Sequence, residues 1–295
     1  MSLATRRAAL MEGRSLTLGS LFAAFWPQVG VTWALTLVEV ALFALIPLLI
    51  GQAIDGLLAS DPAAFWQLGG VLAALIVLAT GRRVYDTRAY GLMRVELGKA
   101  LARRAAALPV SRLNARLDMG RELVDFLEGE APEAMTSVIR ALAAVVILAG
   151  FHTTLGLATI GAFVAMLVIY ALAHGRFFRL NSALNERMEQ QVSVLETRSM
   201  PRLGAHLLGL RKSEIRVSDT EALVYGLIFA VLLGLVMTNL WVATQVTEVT
   251  AGRVFSIVTY SWDFVEAALV LPMTLQSLSR LSEITARINA TEDMA

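Results

Sequence analysis

Apolar residues run along this chain in long stretches, neither in strand alternation nor in the narrow stripe of a soluble helix, and charge gathers between the stretches. The first run goes from about Leu21 to Ile50, with Pro27, Gln28 and Glu39 as its interruptions. A hydrocarbon core of about 30 Å needs about 20 residues of helix, so this run predicts a first membrane span. Gly51 to Ala64 carries Asp55 and Asp61 but no cation, and Pro62 is suited to opening a helix, so a short external loop is predicted there. The second run starts near Phe65, is apolar through Thr80, and then turns charged with no breaker stronger than glycine before Pro109. As one helix from Phe65 to Leu108 it would be a rod of about 66 Å, roughly twice the hydrocarbon thickness, with its later half projecting into the cytoplasm.

From Ala134 to Ala173 charge is almost absent apart from Arg140 and His152. That is too long for one span, and FHTTLG, Phe151 to Gly156, divides it into a third and a fourth. The fourth continues into polar sequence as a second projection that meets Pro201. A fifth span, about Ala222 to Ala243, leads to a cation-free loop around Asn239 to Gly252, and a sixth returns from Val254 to Leu278.

Charge orients these elements. Arg6, Arg7 and Arg14 lie in the leader, ten Lys or Arg fall between Arg82 and Arg121, and eight more between Arg176 and Arg216. Cations mark the cytoplasmic side, so both termini are predicted to be cytoplasmic, in a cell's inner membrane. With 57% hydrophobic residues, 17% charged and a mean hydropathy of +0.65, the composition is that of a polytopic membrane protein. The predicted class is all-α with six transmembrane helices over residues 21–288, long cytoplasmic helix extensions, a basic leader at 1–20 and a tail at 289–295. No cleaved signal peptide is expected. Without cysteine there is neither disulfide nor thiolate site, and His152, His174 and His206 match no metal spacing, so no metal, cofactor or catalytic residue is expected. A net charge of +1 gives no reason to expect nucleic acid.

The sixth run contains two carboxylates. Asp263 and Glu266 share a polar stripe with Ser256, Tyr260, Thr274 and Ser277, opposite a face of Val, Ile, Leu and Phe. An ionisable group near the bilayer centre costs about 2.5–3.5 kcal/mol on insertion scales, so the stripe predicts an enclosed, hydrated surface. Glu39 stands with Thr32 and Thr36 on one face of the first helix. The other reading of these acids is pairing with Arg140 or Arg253. Arg82, Arg83, Asp86 and Arg88 follow the apolar part of helix two, where they either guard an inner cavity mouth or snorkel to headgroups. Trp26, Trp33, Trp66 and Trp241 fit an interfacial belt, while Trp262, beside the acids, either joins it or stacks on a substrate. Gly69, Gly70, Gly156 and Gly161 are expected to allow close helix packing.

Six spans drawn out into the cytoplasm resemble the transmembrane half of an ABC exporter, the type I exporter or type IV fold. In the first internal loop Leu108, Pro109, Gly120, Leu123 and Glu130 follow the family's order of proline, glycine, leucine and acidic position, although two residues rather than one separate Gly120 from Leu123. In the last helix Gly252, Tyr260, Pro272, Arg287 and Ile288 follow its order of glycine, aromatic, proline and Arg-Ile. The resemblance covers roughly Ser20 to Ile288, and the second internal loop, MPRLGAHLLGLRKSEIRVSDTEA, departs from it. In the family an ATPase domain follows; here seven residues, Asn289 to Ala295, remain. The nearest string to a phosphate-binding loop, GAHLLGLR at Gly204 to Arg211, has Leu210 where lysine is required, so no ATP hydrolysis is expected of this chain.

The resemblance implies a dimer, most simply a homodimer in the lipid bilayer, around a central cavity lined by Glu39, Tyr260, Trp262, Asp263 and Glu266, which would bind protons or a cationic substrate. The implied function is a transporter subunit whose energy comes from a proton gradient or from a separate ATP-binding subunit. That subunit would dock on the loops near Asn114 to Asp118 and Gly204 to Glu214. The alternative is a membrane scaffold or regulatory subunit that kept the exporter body without transport.

Overall fold

The computed structural model describes residues 18–104, 110–245 and 249–289, and these are helical almost throughout, with no strand among them. The helices are α1 (Leu18–Leu58), α2 (Ala63–Arg104), α3 (Val110–Glu128), α4 (Glu130–Phe151), α5 (Thr153–Glu189), α6 (Gln191–Glu196), α7 (Met200–Gln245) and α8 (Ala251–Asn289). Among the described residues five helical stretches are long and apolar enough to cross a membrane, lying within 18–58, 63–103, 116–151, 153–196 and 200–245. Their surfaces carry exposed Leu72, Ile76, Val77, Leu142, Val146 and Leu157, a pattern that water disfavours and lipid accepts.

Several predicted boundaries move. The expected loop from Gly51 to Ala64 is helix up to Leu58, and the reversal is confined to the residues around Ser60, whose φ is 63°. Asp61 then accepts the amide of Ala63 at 3.0 Å and caps α2, ahead of the predicted start at Phe65. The glycines of α2 leave it unbroken for 42 residues. The predicted turn at Phe151 to Gly156 shrinks to His152, which takes an extended conformation and accepts from the amide of Thr154. The fifth helix begins at Met200 rather than near Ala222, because Pro201 sits in the first turn of α7, where its missing N–H costs nothing. Within α1, Phe25 has non-helical angles (φ −118°, ψ 18°) two residues before Pro27, whose ring displaces the preceding turn.

Residue contacts divide the chain into two bodies, Met1–Ile147 with Thr247–Ala295, and Leu148–Val246. In the first, the beginning of α1, the later half of α2 and α3 enclose a core of Leu21, Phe25, Val29, Tyr90, Met93, Leu97, Leu101, Leu123 and Val124. A Cβ at Gly120 would run into the end of the Leu101 side chain, so Leu101 packs directly over this glycine where α3 meets α2. In the second, α7 buries Leu210, Val217, Val224, Ile228, Leu232 and Leu235, a three-and-four spacing that keeps one stripe inward. Leu155, Thr159, Ala162 and Met166 form the matching buried stripe of α5. Glycines expected at close packing behave unequally: Gly156 abuts Ala149, whereas Gly69, Gly70 and Gly161 have open space around them.

Candidate functional site

The site is set by how α8 lies on α1 in the first body. The two helices touch at Gly51 and Gly252, where a Cβ on either residue would strike the other's backbone. One turn outward, the carboxylate of Asp55 accepts from Thr250 Oγ1 at 2.6 Å and from the Gly252 amide at 2.8 Å, which caps the start of α8. One turn inward, Ser256 Oγ donates to the Pro47 carbonyl at 2.8 Å, and a turn further Tyr260 donates to the Ala44 carbonyl at 2.6 Å. Successive turns of α8 are thus fastened to α1.

This corrects the expected wet stripe. Ser256 and Tyr260 are 2% and 1% exposed, and their hydroxyls are occupied by carbonyls of α1, so these hydroxyls serve a helix contact. Thr274 and Ser277 lie outside the residues whose side chains are described. The two acids turn toward α4. Arg140 Nη2 donates to Asp263 Oδ1 at 2.8 Å and to Glu266 Oε2 at 3.3 Å, and Trp262 Nε1 donates to Glu266 Oε1 at 3.1 Å. The Glu266 side chain is half exposed, while those of Arg140 and Asp263 are about one-third and one-quarter exposed. Of the two arginines that the sequence offered as partners, Arg140 is therefore the one that reaches them.

A cavity of about 430 Å³ lies beside this triad. Its walls are Val40, Phe43, Ala44, Ile46 and Pro47 of α1 with Ala143 and Ala144 of α4, and its polar end is Thr136, Arg140, Thr259, Tyr260 and Asp263. The arrangement offers a mostly apolar chamber with one charged end, the form common to small-molecule sites.

Glu39 has a different partner. It receives Arg82 Nε at 2.6 Å, and Arg82 Nη1 also reaches Asp86 at 3.4 Å. Asp86 is 3% exposed and accepts Thr32 Oγ1 at 2.6 Å, while Thr36 donates to the Thr32 carbonyl at 2.8 Å. Thr32, Thr36 and Glu39 do share a face of α1, as their spacing implies, and that face meets α2. Of the three arginines placed at an inner mouth, only Arg82 turns inward. Arg83 is largely exposed at 4.0 Å from Glu128, and Arg88 folds back onto the Val84 carbonyl. A third cluster joins α2 to α3, where Arg94 bonds Asp125 at 2.6 Å and also Glu128. One arginine held between two carboxylates is thus a repeated motif of this body.

The positions expected on docking loops are helical instead. Asn114 donates to Asp118 at 3.2 Å across one turn of α3, and Gly204 and Glu214 lie exposed on α7. Sequence reasoning missed the Gly51–Gly252 crossing and the Asp55 cap. The signal available was Asp55 in a cation-free segment and glycines at the ends of two apolar runs.

The family model for the ABC transporter transmembrane region matches residues 19–252, from the start of α1 to the start of α8. No curated protein matches the chain. A match over most of the sequence, on a helical chain with five stretches fit to cross a bilayer, settles the assignment: this integral membrane protein belongs to the family of ABC transporter transmembrane regions.

Proposed function

We propose that the protein is the membrane-embedded subunit of a transporter, in which α8 supplies a sixth span and two copies enclose a translocation path. The observation that carries this reading is the Arg140–Asp263–Glu266 triad beside its cavity. Arg140 lies about three turns from the end of α4 and Asp263 about three turns from the start of α8, roughly 16–18 Å at 1.5 Å per residue. That is near the middle of a hydrocarbon core about 30 Å thick, where charged side chains mark pathways and relays. The cation-rich later half of α2 with α3, and of α5 with the start of α7, extend into the cytoplasm of a cell whose inner membrane holds the protein. Their ends, near Asn114 and Asp118 and near Gly204 and Glu214, are where an ATP-binding subunit docks.

Energy comes from ATP hydrolysed by such a subunit or from a proton gradient, and one experiment separates the two. The protein is purified from its native membrane with its co-eluting chains identified, then reconstituted into vesicles loaded with a pH-sensitive dye. A stoichiometric ATP-binding chain, with no proton flux under a pH gradient, assigns the motor to that partner. Proton flux that Asp263→Asn and Glu266→Gln abolish assigns it to the triad. Neither partner nor flux, from a well-folded dimer, overturns the transporter reading.

A further inference from the structure

Cavity and triad together specify the chemical class that the site accepts. We propose that the chamber between α1, α4 and α8 binds an amphipathic organic cation, its apolar body against Val40, Phe43, Ile46 and Ala143 and its positive charge at Asp263. This rests on the transporter reading for its biological purpose, though not for the binding itself.

Charge balance decides the sign of the ligand. Asp263 and Glu266 share one guanidinium, and both bonds come from the same nitrogen, Arg140 Nη2. Glu266 draws that group toward α8 and is itself held by the Trp262 indole. One positive charge among two carboxylates leaves the site short of a cation, and near the bilayer centre such a deficit is costly. Arg140 cannot serve an anion well, because two acids already hold it. Asp263 lines the cavity and gives only Oδ1 to Arg140, so Oδ2 remains for a ligand. Phe43, also in the lining, is aromatic, and a cation over an aromatic face is favoured by about 0.5–2 kcal/mol in general. The remaining wall is aliphatic, and 430 Å³ falls in the range of small-molecule pockets, which is too large for a bare metal ion and right for an organic body.

Tetraphenylphosphonium and tetraphenylborate test this directly, since they have nearly one shape and opposite charge. Each is titrated in labelled form onto the full chain in lipid nanodiscs, with empty nanodiscs subtracted. Saturable binding of the phosphonium alone is expected, at least tenfold weaker in Asp263→Asn. Ala143→Phe should also abolish it, because that substitution fills the cavity from α4 while leaving all three charged groups in place. Equal binding of the two ions, or unchanged phosphonium binding in a folded Ala143→Phe variant, overturns the proposal. If Asp263→Asn fails to fold, the charge comparison and Ala143→Phe decide alone. Saturable, charge-selective binding in a protein that moves no phosphonium across vesicles supports the site and defeats the transporter reading, so the two fail separately.

Discussion

Thr32 donates its hydroxyl to Asp86 at 2.6 Å, a bond between two side chains that water scarcely reaches, and it fastens α1 to α2 below the kink at Phe25. A hydrogen bond to a charged group contributes about 1.5–3 kcal/mol, and losing one partner leaves the other desolvated. Thr32→Val should therefore lower the thermal midpoint of the detergent-solubilised protein by several degrees, whereas Thr32→Ser should stay near wild type. A Val variant that melts like the parent would show that this bond contributes nothing.

Arg82 stands between Glu39 and Asp86, so its removal leaves two carboxylates without their cation. Breaking a fully buried pair costs about 3–5 kcal/mol, and Arg82, about one-quarter exposed, should cost less, roughly 2 kcal/mol. Arg82→Gln with Glu39→Gln should lose less than the two single variants added together, since the second change removes a charge that the first orphaned. Additive losses in denaturant or thermal unfolding would mean that the three groups are not coupled.

At Gly51 and Gly252 the backbones of α1 and α8 meet with no room for a side chain. The obstacle to a Cβ there is mainly main chain, which cannot swing aside, so Gly252→Ala should cost about 1–3 kcal/mol through forced separation of the helices. Gly69→Ala, where a Cβ meets nothing, is the control and should be neutral or slightly stabilising. The comparison is read from melting curves of the two variants side by side.

The long apolar runs were visible in the sequence because a membrane helix advertises itself through one-dimensional hydropathy, and α1, α2 and α5 follow directly from theirs. Where each helix stops was less visible. Pro201 looks like a breaker until its place in a first turn is known, and Asp55 looks like a loop residue until Thr250 and Gly252, distant in sequence, are found bonded to it. Periodicity grouped Ser256, Tyr260, Asp263 and Glu266 on one polar stripe of α8. It could not say that the hydroxyls face α1 while the carboxylates reach α4, because partner choice depends on how three helices pack.

His152 separates α4 from α5 and caps the latter through the Thr154 amide at 3.3 Å, a long bond for a cap. An imidazole is a weaker N-cap than a short carboxylate, which also meets the positive end of the helix dipole. His152→Asp should stabilise by about 0.5–1 kcal/mol, and His152→Ala should lose a similar amount. Limited proteolysis within 148–156 would register both, with slower cleavage for Asp and faster for Ala; the reverse order would remove His152 as a cap.

Arg140 joins α4 to both acids, so its variants separate a structural pair from a working site. Arg140→Gln leaves Asp263 and Glu266 without their shared cation and, given the partial exposure of all three side chains, should destabilise by roughly 1–2 kcal/mol. Adding Glu266→Gln should restore part of that loss, because a single carboxylate beside the glutamine amide can again be hydrogen-bonded. If the triad merely holds α4 to α8, the double variant should recover function in step with its melting temperature. If the triad works on a ligand or a proton, stability should return while flux and phosphonium binding stay altered. Measuring both quantities on the same preparations makes the distinction, since a purely structural role cannot move one without the other.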